Sequence, residues 1–133
     1  MNCPRCNEGF VKKDFGNVSL SICNKCHAVW IDYASLKKLA NKIELKSEPV
    51  NLADMDVIKV KEEPRICPSC PNPMNKIYFN GTVLDRCDTC NGLLFDNGEL
   101  AKYFRLFMKN PPGIIDNIAF IEKYCTKITE KKE

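Results

Sequence analysis

The sequence has little of what most enzymes and membrane proteins need. Its 133 residues include one histidine, and its apolar runs are only a few residues long, whereas a membrane-spanning helix needs roughly 20. We find no Ser-His-Asp set, no paired catalytic carboxylates and no phosphate-binding glycine loop. Met1-Asn2-Cys3-Pro4 runs directly into cysteines rather than into the apolar stretch of a secretory signal. These features predict a cytoplasmic protein that is not an enzyme.

Cysteine, by contrast, is abundant. Eight of the nine cysteines form four Cys-x-x-Cys pairs, namely Cys3/Cys6, Cys23/Cys26, Cys67/Cys70 and Cys87/Cys90. The second set follows the first at a constant offset of 64 residues. Between residues 3–39 and 67–103, 11 of 37 positions are identical. The chain is therefore predicted to be a tandem duplication.

Two chemistries use such pairs: disulfides and metal binding. Disulfides persist in oxidising compartments, and no export signal is present. Four thiolates on two Cys-x-x-Cys turns suit tetrahedral Zn²⁺, and iron in a rubredoxin-like site uses the same donors. Cross-bracing between repeats would leave the duplication unexplained, so we expect one zinc ion on each complete set. The predicted ligands are Cys3, Cys6, Cys23 and Cys26, and Cys67, Cys70, Cys87 and Cys90.

Four protein ligands leave no open position on a tetrahedral ion, so both predicted sites are structural rather than catalytic. Each repeat has about 40 residues, near the lower limit for a fold held by apolar packing alone. Zinc binding to such peptides contributes an apparent ~10–16 kcal/mol. We therefore expect the fold to depend on the metal.

Each repeat predicts a β-hairpin, a third strand and a helix. The second hairpin turns at Asn80-Gly81, the strongest short hairpin signal, and the first at the looser Phe15-Gly16-Asn17. The predicted strands are Phe10–Asp14, Val18–Ile22 and Ala28–Ile31, and then Met74–Phe79, Thr82–Arg86 and Gly92–Phe95. The predicted helices lie near Tyr33–Ile43 and Asn97–Lys109. The fold class is small, metal-bound α+β.

An aspartate is expected to start each helix. Asp96 and Glu99 have the spacing of a capping box, in which the aspartate accepts amide hydrogens and the glutamate reaches back. Asp32 is placed to cap the first helix in the same way, with Ser35 in the place of the glutamate.

Cys-Pro-x-Cys, a hairpin, Cys-x-x-Cys-x-Gly, an apolar strand and Asp-x-Gly-Glu-Leu together resemble the transcription factor IIB-type zinc-ribbon family. The second repeat matches through Cys90, Gly92, Phe95, Asp96, Gly98, Glu99 and Leu100, but has Leu94 where the family prefers tryptophan. The first keeps Trp30, Ile31, Asp32 and Leu36, but has Ala28, Ala34 and Ser35 in place of Gly, Gly and Glu. The resemblance covers about two-thirds of the chain and implies two tandem zinc ribbons.

Four segments are expected. The first ribbon with its helix occupies residues 1–42, and the second with its helix occupies residues 67–109. The linker at 43–66 has strand character at Val57–Lys61, which suits addition to a ribbon edge. In the tail at 110–133, an amphipathic helix is predicted from Ile114, Ile118, Ile121, Cys125 and Ile128. We expect this helix to pack on a ribbon; self-association into a homodimer is the alternative.

Charge favours a protein partner over nucleic acid. The formal net charge of +3 becomes about −1 once eight thiolates and two Zn²⁺ are included. An ordinary solvated surface is expected for the basic residues of the first ribbon, with a local basic patch as the alternative; these residues are Arg5, Lys12, Lys13, Lys25, Lys37 and Lys38. We therefore predict a zinc-binding adaptor for a protein, with a nucleic-acid-binding, transcription-associated protein as the alternative and a rubredoxin-like electron carrier as a third hypothesis.

Several single residues have a structural interpretation as well as a functional one. His27 follows a predicted ligand, and a surface or capping role is expected for it rather than proton chemistry. Cys125 is expected in apolar packing rather than in redox chemistry. Trp30, Phe15 and Phe79 are expected in the core rather than stacked on bases.

Overall fold

Seven strands and three helices form the part of the chain that the computed structural model describes, which is residues 2–15, 18–42, 56–58, 64–79, 82–105, 107–111, 113 and 115–123. The strands are β1 Val11–Phe15, β2 Val18–Ile22, β3 Val29–Ile31, β4 Asp56–Ile58, β5 Asn75–Phe79, β6 Thr82–Arg86 and β7 Leu93–Phe95. The helices are α1 Tyr33–Lys42, α2 Glu99–Arg105 and α3 Asn117–Ile121. None of these helices is long and apolar enough to cross a membrane.

The two ribbons share one continuous antiparallel sheet. Its strand order is β1-β2-β3-β7-β6-β5-β4. The seam between the repeats is the pairing of β3 with β7, in which Val29 faces Phe95, Trp30 faces Leu94 and Ile31 faces Leu93. Trp30 and Leu94 are equivalent positions, and the other two pairs exchange when residue numbers shift by 64. A pseudo-twofold axis therefore passes through the Trp30–Leu94 pair.

The sheet has two covered faces, because alternate residues of a strand point to opposite sides. On one side, which we call the helix face, Leu20, Ile31, Leu84 and Phe95 pack into one core with residues of all three helices. On the other side, the metal face, Trp30 and Leu94 pack with Cys3, Cys23, Cys67 and Cys87. Trp30 is 4% exposed, so it lies in the core as predicted.

The hairpins follow the same plan in both repeats. The first ladder pairs Phe15 with Val18 and the second pairs Phe79 with Thr82. Each connection therefore has two residues, and the three-residue turn predicted at Phe15-Gly16-Asn17 is wrong. The side chains of Phe15 and Phe79 lie outside the described residues, as do the turn residues.

The linker adds a strand to the second ribbon. β4 runs antiparallel to β5 and pairs Val57 with Ile77. This strand occupies one outer edge of the sheet, and β1 occupies the other. The strand character recognised at Val57–Lys61 thus appears at Asp56–Ile58; residues 59–61 are outside the described part.

The second helix is shorter than predicted. It ends at Arg105 rather than near Lys109. The amides of Phe107 and Met108 both donate to the carbonyl of Phe104, at 3.0 and 3.2 Å. This tight turn closes the helix before the chain reaches Pro111 and Pro112, at which the sequence predicts the helix to end.

The tail packs on the helix face. Phe120 and Ile121 of α3 are buried in the core shared by both ribbons, and the rings of Phe104 and Phe120 stack with centroids 5.8 Å apart. Ile118 is partly buried against the same core. The other stripe residues predicted for this helix, Ile114, Cys125 and Ile128, lie outside the described residues.

Candidate metal centres

The structure brings together two groups of four cysteines, and they are the two sets predicted from the spacing. Within each group all four sulfurs lie within 4.8 Å of one another. The Sγ atoms of Cys3 and Cys26 are 3.7 Å apart, and those of Cys67 and Cys90 are 3.8 Å apart. A disulfide would need about 2.05 Å, whereas the edges of a tetrahedron with Zn–S bonds of about 2.3 Å measure about 3.8 Å. The donor set and its spacing therefore fit one tetrahedral metal ion per group.

Each Cys-x-x-Cys turn, or knuckle, is shaped by backbone hydrogen bonds around its first cysteine. In the knuckle of Cys23, the cysteine amide donates to the carbonyl of Ala28 at 2.9 Å, and the amide of His27 donates to the cysteine carbonyl at 2.8 Å. His27 has φ 62°, and Asn7 and Asn91 have φ 59° at the equivalent point of two other knuckles. Asparagine and histidine are among the side chains that tolerate this left-handed conformation. The role of His27 that the structure shows is thus a backbone role.

The knuckle of Cys67 departs from this pattern. Pro71 stands where the first repeat has Asn7, and proline has neither a free amide nor access to positive φ. The amide of Cys67 still donates to the carbonyl of Asn72 at 2.9 Å. The amides of Ser69 and Cys70 point to the sulfur of Cys67, at 3.4 and 3.2 Å. These N–H groups work to lower the pKa of Cys67, against the larger effect of its burial.

The pKa values of the equivalent residues Cys23 and Cys87 are shifted in the same direction. Burial works to raise the pKa of Cys87, but the amides of Cys90 and Thr89 outweigh it and lower that pKa to about 7. The pKa of Cys23 is lowered by the same kind of amide contacts. Burial instead raises the pKa of Cys67 to about 12, so further ionisation needs the positive charge of a metal.

A hairpin and third strand that place four cysteines of two knuckles around one point form a zinc ribbon, and this sheet contains two of them. The family model described as transcription factor zinc-finger matches residues 2–42 and 66–105, more than half of the chain. The chain therefore belongs to this family, as a tandem duplication of its ribbon. Two four-cysteine groups in such ribbons support two zinc ions. Searches of curated proteins and of solved structures gave no match.

One site-supporting residue was not recognised in the sequence: Asn117, which is fully buried. Its Oδ1 accepts from the amides of Gly98 and Leu100, at 3.2 and 3.3 Å. Its Nδ2 donates to the carbonyl of His27 at 2.7 Å, and lies 3.1 Å from the carbonyl of Asp96. Asn117 thus ties α3 to the start of α2 and to a knuckle of the first ribbon. A polar residue four positions before Ile121, on the predicted apolar stripe, was the available signal.

The two helix starts differ in their capping. In the first ribbon the amide of Ser35 donates to Asp32 Oδ1 at 2.7 Å, as expected. In the second, Glu99 reaches back to the amide of Asp96 at 2.9 Å, also as expected. Within the described residues, no backbone amide donates a hydrogen bond to the Asp96 carboxylate. The amides of Gly98 and Leu100 donate to Oδ1 of Asn117 instead. The predicted acceptor role of the Asp96 side chain is therefore wrong.

The Asp96 carboxylate instead joins an ion-pair network between the repeats. Its Oδ1 lies 3.1 Å from a guanidinium nitrogen of Arg65 and 3.4 Å from one of Arg5 in the first ribbon. Arg65 also contacts the buried carboxylate of Asp85 at 2.8 Å, and Lys76 contacts the other oxygen of Asp85 at 2.6 Å. Burial works against the Arg65 charge, yet both aspartates together raise the pKa of Arg65.

An open groove of about 310 Å³ lies between the first knuckles of the two ribbons. Its walls include the equivalent residues Pro4 and Pro68, and also Ile66, which is 50% exposed. Cys3 of one four-cysteine group and Cys67 of the other both line the groove. Asn2 and Asn7 also line this groove, so its surface is mixed in polarity.

Proposed function

We propose that this protein is a cytoplasmic, non-enzymatic adaptor whose two zinc ions stabilise a surface for a protein partner. In this proposal Cys3, Cys6, Cys23 and Cys26 hold one ion, and Cys67, Cys70, Cys87 and Cys90 hold the other. Four thiolates saturate a tetrahedral ion, which supports a structural rather than a catalytic metal. Thiolate ligands also suit a reducing compartment.

Exposed apolar side chains on the metal face are the observation that supports a protein partner rather than nucleic acid. Tyr78 and Val83 are a cross-strand pair in β5 and β6, and they are 47% and 38% exposed. They lie on the face opposite to the buried Ile77 and Leu84, and hence on the metal face. The first ribbon has Asp14 and Ser19 at the equivalent positions. An exposed apolar pair of this kind fits protein contact.

A photo-crosslinking residue at position 78 tests this proposal. We expect adducts with one protein from the native host in zinc-loaded samples, and loss of those adducts after chelation. Crosslinkers at the exposed Ala34 of α1 serve as the positional control. With the crosslinker kept at position 78, Val83→Ser gives its cross-strand partner the residue of the first ribbon, and we expect it to weaken the adduct. Equal adducts from both positions would contradict the proposal.

Nucleic-acid binding is the second candidate function, favoured by the exposed basic residues of the first ribbon. Lys12, Lys13, Lys25 and Lys38 are all exposed, while Lys37 lies over the ring of Tyr33 at 5.3 Å. Titration of labelled duplex and single-stranded oligonucleotides at two salt concentrations tests it. Micromolar binding that weakens steeply with salt would support nucleic acid; millimolar binding at low salt supports the protein-adaptor proposal.

A further inference from the structure

The two outer edges of the sheet are unlike. β1 and β5 are equivalent strands, each at the outer side of its hairpin. The edge of β5 is covered by β4, which pairs Asp56 with Tyr78 and Ile58 with Lys76. Among the described segments, no strand pairs with the outer edge of β1. The first ribbon thus offers backbone donors and acceptors at the position where the second ribbon accepts a strand.

Lys12 places a charge at this edge that forms no ion pair with any of the described residues. Its equivalent is Lys76, whose ammonium lies 2.6 Å from the buried Asp85. In the first ribbon the cross-strand partner of Lys12 is Ser21, which stands in the place of Asp85. Lys12 is exposed. Ser21 therefore supplies no carboxylate opposite Lys12; the carboxylate of β1 itself, Asp14, is exposed two residues further along the strand.

Lys13 places a second charge on the opposite side of the same strand. Its equivalent is Ile77, which is fully buried and pairs with Val57 of β4. Lys13 is exposed, and a lysine stem lies along apolar surface while its ammonium stays in water. Because neighbouring strand residues point to opposite faces, the two lysines charge both sides of the β1 edge.

We propose that the outer edge of β1 binds an acidic, extended segment of a protein partner, which adds antiparallel to β1 as a further strand. The inference deepens the proposed function and rests on it. Backbone hydrogen bonds supply the affinity, and carboxylates beside Lys12 and Lys13 select the segment. A second copy of this edge sets Lys13 opposite Lys13 in the register that brings Lys12 opposite Asp14, so an acidic segment of another protein is the better occupant.

A labelled eight-residue peptide of alternating glutamate and valine is the probe. It is titrated into the zinc-loaded full chain at low salt, and amide hydrogen exchange is followed by NMR. We expect saturable binding and new protection of the β1 amides that face away from β2. Lys12→Glu/Lys13→Glu should weaken binding by about tenfold or more. Lys37→Glu/Lys38→Glu makes the same change of charge on α1 and should leave binding within about twofold.

Two further peptides separate strand addition from simple charge attraction. A backbone N-methylated peptide of the same sequence cannot complete the ladder, and a lysine-valine peptide has the opposite charge. Neither should bind. Equal binding of the N-methylated peptide, or equal loss in both lysine double variants, would overturn the proposal.

Amide hydrogen exchange of β1 in the protein without peptide tests whether the edge is already occupied. If the outward β1 amides are already protected at every concentration, the chain itself covers the edge and the proposal is wrong. Protection that grows with protein concentration identifies a second copy and is equally contrary. Equal crosslinks from positions 78 and 34 in zinc-loaded samples would defeat the proposed function without changing these peptide results, so the two failures are distinguishable.

Discussion

Across the seam between the repeats, the ring of Trp30 fills the space that a side chain at Gly92 would need. A Cβ atom on Gly92 would lie 2.3 Å from Cζ2 of the Trp30 ring, so a side chain does not fit beside the indole. The equivalent residues on the other side of the pseudo-twofold axis are Leu94 and Ala28, and both are buried in the same cluster. The larger ring goes with glycine and the smaller leucine with alanine. The two departures from the family motif therefore compensate each other.

We expect Gly92→Ala to destabilise the zinc-loaded protein by about 1–3 kcal/mol through overpacking. Trp30→Leu should cost about 2 kcal/mol or more through lost burial. The double variant copies the Leu94–Ala28 arrangement, so its cost should be smaller than the sum by about 1 kcal/mol or more. Denaturant unfolding of the four proteins measures this coupling. Additive costs would show that the two residues do not share the space.

Asn117→Ala should lower the free energy of unfolding by about 3 kcal/mol or more, because it leaves the buried amides of Gly98 and Leu100 without their acceptor. Hydrogen exchange at these two amides should accelerate. Asp116→Ala is the control: the Asp116 carboxylate accepts from Ala119 at 2.7 Å in an exposed cap, and its loss should cost about 1 kcal/mol. Similar costs for both variants would contradict the role assigned to Asn117.

The shared sheet alters the expected effect of a ligand substitution. Two independent ribbons would let Cys87→Ser unfold the second and leave the first intact. Because Trp30 of the first ribbon packs against Gly92 of the second, we expect its fluorescence to change as well. Zinc content should fall from two ions to one. Cys125→Ser changes the ninth cysteine, outside both groups, and should keep both ions. An unchanged Trp30 signal would show that the seam survives loss of one metal.

Glu99 should make stability depend on pH. Its burial raises the pKa to about 7 from an ordinary value of 4.5, against the hydrogen bond from the Asp96 amide, which lowers it. The folded state therefore binds more protons than the unfolded state between these two values, and stability falls as pH rises through this window. Glu99→Gln keeps the amide acceptor without titrating, so it should remove about 1–2 kcal/mol of this decline, allowing for solvent screening.

Unfolding at constant zinc activity between pH 5 and 8 measures the difference between the Glu99→Gln and unmodified proteins. Metal release on acidification affects both proteins and cancels in the comparison. Parallel pH profiles would show that Glu99 has an ordinary pKa.

Local signals predicted the ribbons well. The cysteine spacing predicted which eight residues would meet, and Asn80-Gly81 predicted the second hairpin, because both depend on nearby sequence. The seam between β3 and β7 depends on contacts between repeats, which local patterns do not report. Asn117 was missed for the same reason, since its partners lie as far away as His27. The early end of α2 was missed because the turn at Phe107 and Met108 precedes the prolines.

The register at the seam has a consequence for how this chain diverged. Two identical ribbons associating about a twofold axis would have this same pairing of strands, and every substitution would then appear twice. Joining them covalently replaces an encounter between molecules with a local effective concentration, and frees each half to change alone. The first half keeps an indole at Trp30 where the second half has Leu94, and the outer edge of the second half is covered by β4 from the linker. Substitutions at the lysine-bearing β1 edge of the first ribbon therefore leave the equivalent edge of the second ribbon unchanged.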